Sequence, residues 1–220
     1  RTLLAQRRRL VASVLGVGLA IMLMLLLDGM WAGVRAQVTV YEDNTGASLV
    51  VVAPGTENLF ADSSVLPMST VAQVAATPGV RWAAPVRTMY TILDMHNGRF
   101  PASLVGSVPG QPGGAWQVEH GRALRSEDET TVDGTLAKRH GLRIGDDLEV
   151  MGRRFRIVGL TGTGSTFMTG MVFLTHRAVE QLLQAPGATG AVLVGTDQPA
   201  AVMTALQAQG LTVRTREQLR

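Results

Sequence analysis

Apolar side chains are concentrated in one long run near the start of the chain. Leu10 to Leu27 are 18 residues in which Ser13 has the only polar side chain. As an α-helix at about 1.5 Å per residue this run is about 27 Å long, close to the thickness of the bilayer hydrocarbon core. The pattern predicts a transmembrane helix over residues 10–34. A cleaved signal peptide is the alternative, but the apolar region of a signal peptide is shorter, about 7–15 residues.

After this run, short apolar stretches alternate with turn residues, which is typical of a mixed α/β domain. Leu49 to Ala53 indicate a strand, and residues 80–95 ("VRWAAPVRTMYTILDM") indicate one or two more. Between them, Thr70 and Gln73 match the T-x-x-Q capping box. This match predicts a short helix that ends at Pro78.

The middle of the chain is rich in glycine and proline, as expected for short strands and turns. Residues 135–141 predict a short helix, with Gly141 just after its end, where a left-handed backbone is needed. Two strand-like runs joined around Met151-Gly152-Arg153 predict a hairpin. Residues 171–174 ("MVFL") predict another strand, and Thr175 is the expected N-cap of the helix after it.

The last 30 residues predict a compact strand–helix–strand unit. Residues 191–196 and 211–215 are the strands, Asp197 is the expected N-cap, and Pro199 suits the first helical turn. Such a small unit needs a partner sheet to cover its apolar faces. We therefore predict a discontinuous α/β subdomain and a β-rich insertion, with bounds 47–93 plus 188–220 for the first and 94–187 for the second.

The basic excess of the chain lies at its N-terminus. The net charge is +3, and residues 1–27 carry four arginines and no acidic residue. The arginines at 7–9 directly precede the apolar run, so the positive-inside rule predicts that residues 1–9 are a cytoplasmic tail. The span then lies in a bacterial cytoplasmic membrane, and the chain after about residue 35 is extracytoplasmic. Few aromatic residues and no basic cluster in that part exclude a nucleic-acid binder.

A glycine-rich stretch has almost the spacing of a nucleotide-binding P-loop, G-x-x-x-x-G-K-[ST]. In Gly159 to Thr166 ("GLTGTGST"), however, Ser165 stands where the lysine is required. A strand-like run follows where a P-loop has a helix, and the predicted topology places the stretch in a compartment with little ATP. We predict no bound nucleotide and no other cofactor.

The remaining candidates for chemistry are sparse. The chain has no cysteine, which excludes disulfides and thiolate sites. The histidines show no H-x-x-x-H or similar ligand spacing; they are His96, His120, His140 and His176. A nucleophile elbow, G-x-S-x-G, is missing as well. We therefore predict no catalytic residue, no metal ligand and no enzymatic activity.

One apolar stretch lies beside the glycine-rich loop. Phe167, Met168 and Met171 are adaptable side chains that suit contact with a substrate or partner. The alternative is that these side chains belong to the buried core, where such residues are usually found.

Several motifs, in order, resemble the MacB-like and FtsX-like ABC transporter permeases. Residues 141–147 ("GLRIGDD") are similar to the family's "GL-x-x-GD" turn, and a strand hairpin ending in "VG" at Gly159 follows it. Upstream, Glu119 to Leu124 ("EHGRAL") resemble the "GR-x-L" segment, and residues 76–86 ("ATPGVRWAAPV") resemble the "PGV…P" segment. The resemblance covers nearly the whole chain, including the basic tail and the span.

This resemblance implies an α+β fold: one transmembrane helix, then a mixed α/β porter-like subdomain with an inserted β-rich sabre-like subdomain. It implies a MacB-like periplasmic core domain within a permease that works as a homodimer or heterodimer with a cytoplasmic ABC ATPase. Further spans are expected after Arg220. Membrane lipid and an extracytoplasmic adaptor or substrate are the other implied partners. The alternative is a singly anchored extracytoplasmic binding or adaptor domain that does not take part in transport.

Overall fold

The computed structural model divides the chain into two compact units, Arg1–Val38 and Thr39–Arg220. The residues that the structure describes are 7–38, 41, 44–56, 58–60, 62, 64–95, 98–162, 170–215 and 218.

The first unit is dominated by one helix, α1 (Arg7–Val38). Its apolar part, Leu10–Trp31, is 22 residues long with a mean hydropathy of 2.8, and none of that window is buried. At about 1.5 Å per residue this part extends about 33 Å, enough to cross a bilayer. A helix that is apolar all round and not covered by protein is typical of a membrane span. The predicted helix is confirmed, and α1 extends beyond the predicted 10–34 at both ends.

The second unit consists of strands and short helices. Among the described residues its strands are β1 (Leu49–Val52), β2 (Leu66–Pro67), β3 (Val80–Met95), β4 (Gly98–Ser107), β5 (Val118–Gly121), β6 (Glu129–Asp133), β7 (Asp147–Val150), β8 (Arg153–Thr161), β9 (Gly170–Thr175), β10 (Ala188–Thr189), β11 (Ala191–Thr196) and β12 (Thr212–Thr215). Its helices are α2 (Ser69–Ala75), α3 (Gly134–His140), α4 (His176–Leu182) and α5 (Pro199–Ala208).

Ten of these strands form one continuous sheet. Its order is β12-β1-β11-β3-β4-β9-β6-β8-β5, and β7 pairs with β8 beside this path. The strands β2 and β10 form a separate two-stranded sheet. The long strand β3 joins the two parts of the large sheet, because its first half pairs with β11 and its second half pairs with β4.

The first part of the sheet has a ferredoxin-like arrangement. The units β1-α2-β3 and β11-α5-β12 interlock, since β11 lies between β1 and β3 and all neighbouring strands are antiparallel. The helices α2 and α5 cover one face of these strands. The buried apolar side chains between them are Leu49, Val51, Leu66, Val74, Val192, Val194, Val202, Leu206 and Val213.

The second part of the sheet mixes parallel and antiparallel pairs. The strands β3 and β4 form a hairpin, β4 runs parallel to β9, and β6 lies between β9 and β8. The helices α3 and α4 pack against this part. The buried core there comprises Leu93, Ala102, Leu104, Val132, Leu136, Ala137, Leu148, Val150, Phe155, Ile157, Val172, Leu174, Ala178 and Val179.

A third buried cluster lies on the opposite side of the sheet, because successive strand side chains point to opposite faces. It contains Tyr41, Ala47, Val50, Val52, Leu59, Ala84, Val86, Val105, Met171, Phe173, Ala191 and Leu193. Both parts of the sheet contribute to it. The predicted α+β fold with one N-terminal apolar helix is confirmed.

The predicted boundary between the two subdomains, at 93/94, falls inside β3 (Val80–Met95). The elements of 47–93 plus 188–220 do form the ferredoxin-like part, but the sheet continues through β3 into the rest of the unit. The division into a porter-like and a sabre-like subdomain therefore stays a prediction.

Two predicted helix caps are wrong. The N-cap of α2 is Met68, with no side-chain hydrogen bond, and Thr70 is a buried helical residue, so the T-x-x-Q box does not form. The N-cap of α5 is Gln198. There the Thr196 hydroxyl accepts a hydrogen bond from the Gln198 amide, and Asp197 pairs with Arg81 at 3.2 Å instead.

Candidate functional site

The motif region around α3 is held by local capping interactions. The Asp133 carboxylate is buried and accepts hydrogen bonds from the amides of Thr135, at 2.8 Å, and Leu136, at 3.1 Å. The helix ends at Gly141, which has a φ of 70° as predicted for this position. In the turn that follows, the Asp146 carboxylate accepts from the amide of Arg143 at 2.8 Å. These bonds fix the shape of the "GLRIGDD" turn.

A charged pair fixes the second motif, "EHGRAL". The Arg122 guanidinium donates two hydrogen bonds to the Glu129 carboxylate, which also accepts from the amides of Arg125 and Ser126. The hydrogen bonds from Arg122 outweigh desolvation and lower the pKa of Glu129 to about 2. Glu129 is the first residue of β6, so the pair ties the segment after β5 to the sheet.

A cavity of about 490 Å³ opens beside this segment and the start of α4. This volume is in the range of small-molecule sites. The wall includes apolar side chains and charges of both signs; its residues are Met68, Val108, Pro109, Arg125, Ser126, Glu127, Thr175, His176, Arg177, Glu180 and Gly187. The exposed Arg177 pairs with Glu127 at 3.4 Å, so part of this charge is already neutralised.

Two residues of the cavity wall, His176 and Glu180, belong to a polar cluster that is largely buried. Nε2 of His176 is 3.1 Å from the Thr189 hydroxyl, and its Nδ1 is 3.9 Å from a Glu180 carboxylate oxygen. Desolvation by burial lowers the pKa of His176, partly opposed by Glu180, and Arg87 lowers it further. Nη1 of Arg87 is buried and has no hydrogen-bond partner among the described residues. The cluster joins β3, α4 and β10.

A smaller cavity of about 180 Å³ lies beside α3. Its wall brings the two motifs together and consists of Glu119, His120, Gly134, Ala137, Lys138, Gly141, Leu142, Arg143, Leu160 and Thr161. The motifs are about 20 residues apart in the sequence, but both are attached to β8. The first motif begins in β5, which pairs with the end of β8. In the second motif, the amide of Gly145 donates to the carbonyl of Ile157 in β8, and the carbonyl of Asp146 accepts from the Ile157 amide.

The structure separates the three predicted contact residues. Met171 is in β9, is 3% exposed and belongs to the third core cluster. Met171 is therefore not accessible for contact at the surface, which agrees with the alternative interpretation that this side chain belongs to the buried core. Phe167 and Met168 lie outside the described residues, so their role stays a prediction. The structure describes the P-loop-like stretch only as far as Gly162. Residues 159–161 of this stretch are the last three residues of strand β8.

The three described histidines have different surroundings. His120 lines the smaller cavity, His140 stacks edge-on against Phe100 at 4.8 Å, and His176 is buried; His96 lies outside the described residues. Within the described part of the chain, no three residues of the types His, Asp and Glu group as a metal site would require.

Sequence reasoning missed the buried aromatic group around Tyr41. Tyr41 is fully buried, and its ring meets Phe60 at 5.5 Å and Trp116 at 6.3 Å. The only sequence signal was a tyrosine in the polar segment after the span. Nothing in that segment indicated which distant residues would surround the ring.

One apolar helix that is long enough to cross a bilayer is followed by a mixed α/β domain, an arrangement that is typical of membrane-anchored proteins. The chain belongs to the MacB-like periplasmic core domain family, whose model matches residues 10–209. The match includes both the apolar helix and nearly the whole sheet. The resemblance to this family is thereby confirmed.

The curated relatives are ABC transporter permeases. An uncharacterised ABC transporter permease of Mycobacterium tuberculosis strain H37Rv is 32% identical over 182 residues, which cover 80% of this chain and 50% of the relative. One from Mycobacterium bovis has the same identity and the same coverage of both chains, 32% over 182 residues, 80% and 50%. The chain spans about half the length of the curated relatives it matches.

Solved structures share the fold at low sequence identity. The periplasmic region of MacB from Actinobacillus actinomycetemcomitans superimposes with a TM-score of 0.57 at 15% identity, covering 81% of this chain and 94% of that one. The extracellular domain of the noncanonical ABC-type transporter YknZ from Gram-positive bacteria gives a TM-score of 0.57 at 12% identity, with coverages of 77% and 98%. At such identities these likenesses show the fold alone.

Proposed function

We propose that this chain is the first span and extracytoplasmic domain of an ABC transporter permease in the bacterial cytoplasmic membrane. In this proposal a separate or fused cytoplasmic ATPase hydrolyses ATP, and the permease transmits the resulting movement through α1 to the sheet domain. The domain then moves a substrate or an extracytoplasmic partner. The chain itself carries out no chemical reaction.

One observation carries this proposal. The family match extends from residue 10 to residue 209, so one family unit includes the span and nearly the whole sheet domain. A domain joined directly to a membrane helix can be moved by that helix. The relatives' description as ABC transporter permeases supports ATP as the energy source.

The proposed topology follows from charge. The arginines at 7–9 stand directly before the apolar part of α1, and positive residues are retained on the cytoplasmic side. The sheet domain is then extracytoplasmic. The 490 Å³ cavity and the predicted contacts Phe167 and Met168 are the candidate surfaces for a substrate or adaptor.

Cysteine labelling tests the topology. The 220 residues contain no cysteine, so single cysteines can be introduced without background from this part of the protein. Val65→Cys and Glu149→Cys, both at exposed positions, should react with a membrane-impermeant maleimide in intact cells. Thr2→Cys should react only after the cells are permeabilised. The opposite pattern of labelling overturns the proposed orientation.

Purification and reconstitution test the coupling. The full-length permease should copurify with an ABC ATPase, or contain one, and its sheet domain should move relative to the bilayer when that ATPase is trapped with nucleotide. A full-length protein that ends near Arg220 and binds no ATPase would instead favour the singly anchored adaptor.

A further inference from the structure

We infer that Tyr41 is the anchor through which movement of the span enters the extracytoplasmic domain. This inference rests on the proposed function, because it assumes that the span moves the domain. It names the residue that receives the movement and the strands to which the movement passes.

Tyr41 lies close to the membrane helix in the sequence but deep in the sheet domain. Helix α1 ends at Val38, and Tyr41 follows three residues later. Its side chain is fully buried, with 0% exposure. A fully buried tyrosine so close to the span cannot shift without moving the side chains packed around it, since protein interiors are close-packed.

The tyrosine hydroxyl is bound to a loop that packs closely against the sheet. It donates a hydrogen bond of 2.8 Å to the carbonyl of Gly113, 72 residues away in the sequence. Gly113 has a φ of 97°, and a Cβ there would lie 2.4 Å from Val86 and 2.8 Å from Leu193. Its backbone therefore lies directly against side chains of β3 and β11, which are neighbouring strands of the ferredoxin-like part.

The tyrosine ring contacts a second path into the domain. The centroid of the Tyr41 ring lies 5.5 Å from that of Phe60, in an edge-on arrangement, and 6.3 Å from that of Trp116. Trp116 in turn meets Phe173 edge-on at 5.7 Å, and Phe173 is fully buried in β9. Tyr41 is thus linked to both parts of the sheet, through Gly113 to β3 and β11 and through Trp116 to β9.

The competing route is the chain itself. From Tyr41 the backbone continues through Thr45 and Gly46 to β1, so a pull on the span could pass along the chain instead. The two routes respond differently to extra flexible residues. Slack inserted before Tyr41 loosens both routes, whereas slack inserted after Gly46 loosens only the route to β1.

The test uses the full-length permease with its ATPase in lipid nanodiscs. A donor dye on Glu149→Cys, in β7, and an acceptor on the lipid headgroups report the distance between domain and bilayer by energy transfer. One variant carries Gly-Ser-Gly between Val38 and Thr39. Its matched control carries the same insertion between Gly46 and Ala47. Thermal unfolding is measured for both, so that coupling is compared between folded domains.

The wild type should show a change in energy transfer between the nucleotide-free and the nucleotide-trapped state. The insertion before Tyr41 should lose most of that change, and the insertion after Gly46 should keep it. Equal loss in both variants, or no loss in either, overturns the role of Tyr41. A wild type with no nucleotide-dependent change, despite an active ATPase, overturns the proposed function instead.

A second pair of variants decides the matter if the insertion after Gly46 prevents folding. Tyr41→Leu and Phe155→Leu each remove a fully buried aromatic ring, but Phe155 belongs to a core cluster that does not contain Tyr41. Tyr41→Leu should reduce the nucleotide-dependent change in energy transfer at least twofold more than Phe155→Leu does. Equal reductions would mean general destabilisation and overturn the inference.

Discussion

The guanidinium of Arg122 and the carboxylate of Glu129 form a two-point pair. Nη1 lies 2.8 Å from Oε2, and Nη2 lies 2.5 Å from Oε1. Such bidentate pairs are stronger and more directional than single ion pairs. Because the same carboxylate accepts two backbone amides, this pair organises the whole segment between β5 and β6.

Removing the charge of Glu129 should lower the stability of the domain at neutral pH and have little effect on its stability in acid. The pKa of Glu129 is lowered from 4.5 to about 2 in the folded chain. Its stabilisation is therefore complete above pH 4.5 and is lost as the pH falls through 2. Urea unfolding of the detergent-solubilised chain should show Glu129→Gln less stable than wild type at pH 7, with the two curves converging towards pH 2. A constant difference at every pH contradicts this assignment.

Burial of His176 should make the domain sensitive to mild acid. Its folded pKa is lowered, chiefly by desolvation, whereas the unfolded chain takes up the proton near 6.5. The unfolded state then binds more protons, so stability falls as the pH drops below 6.5, by at most about 1.4 kcal/mol per pH unit. Glu180, Arg87 and Thr189 are the polar groups around it.

The variant His176→Gln tests this dependence, since glutamine does not titrate. Urea midpoints at pH 7.5 and pH 5.5 should differ less in the variant than in the wild type. His120→Gln serves as the control, because His120 is exposed, and should keep the wild-type difference. An unchanged pH dependence in His176→Gln assigns the acid sensitivity to other groups.

The indole of Trp82 lies directly over Gly195 on the neighbouring strand. A Cβ at Gly195 would lie 2.1 Å from two indole atoms, so alanine there forces the ring or the strand to move. Overpacking of this kind costs about 1–3 kcal/mol. In thermal unfolding, the midpoint temperature of Gly195→Ala should lie well below that of the wild type. Gly190→Ala, where the Cβ would meet the nearest atom at 3.2 Å, should be milder. Equal effects in both would contradict the role of Trp82.

Local sequence signals predicted the elements whose shape is set locally. The hairpin between β7 and β8 turns at Met151 and Gly152, with φ of 51° and 80°, which is the type I′ pattern that suits the twist of two strands. Helix α3 ends at Gly141 in the expected left-handed conformation. In each case a glycine at a fixed offset from an apolar run marks the end of the element.

Pairings between distant segments had no such signal. The parallel contact of β4 with β9 joins Ala102 to Gly170, and neither stretch differs in composition from an antiparallel strand. The caps failed for a related reason. Asp197 is a good N-cap by type, yet Arg81 pairs with it and the neighbouring Thr196 hydroxyl accepts from the helix amide. Contacts with residues distant in the sequence determine both the strand pairing and the helix cap, and local sequence patterns do not indicate such contacts.

The candidate site was predictable only in part for the same reason. The motifs "EHGRAL" and "GLRIGDD" were recognised as segments, but the sequence did not indicate that Glu129 would bind Arg122 or that the two motifs would share a cavity wall. In the predicted contact stretch, Met171 is a core residue, whereas Phe167 and Met168 lie outside the described residues.

Substitutions in that stretch should separate core from contact. Met171 is 3% exposed and packs with Phe173 and Val105, so Met171→Ala should cost about 2–5 kcal/mol in urea unfolding. Phe167→Ala and Met168→Ala test the predicted contact in the full-length permease. They should lower binding of a substrate or adaptor while the unfolding midpoint stays near that of wild type. If either instead destabilises the chain as strongly as Met171→Ala, that residue belongs to the core and the contact prediction is wrong for it.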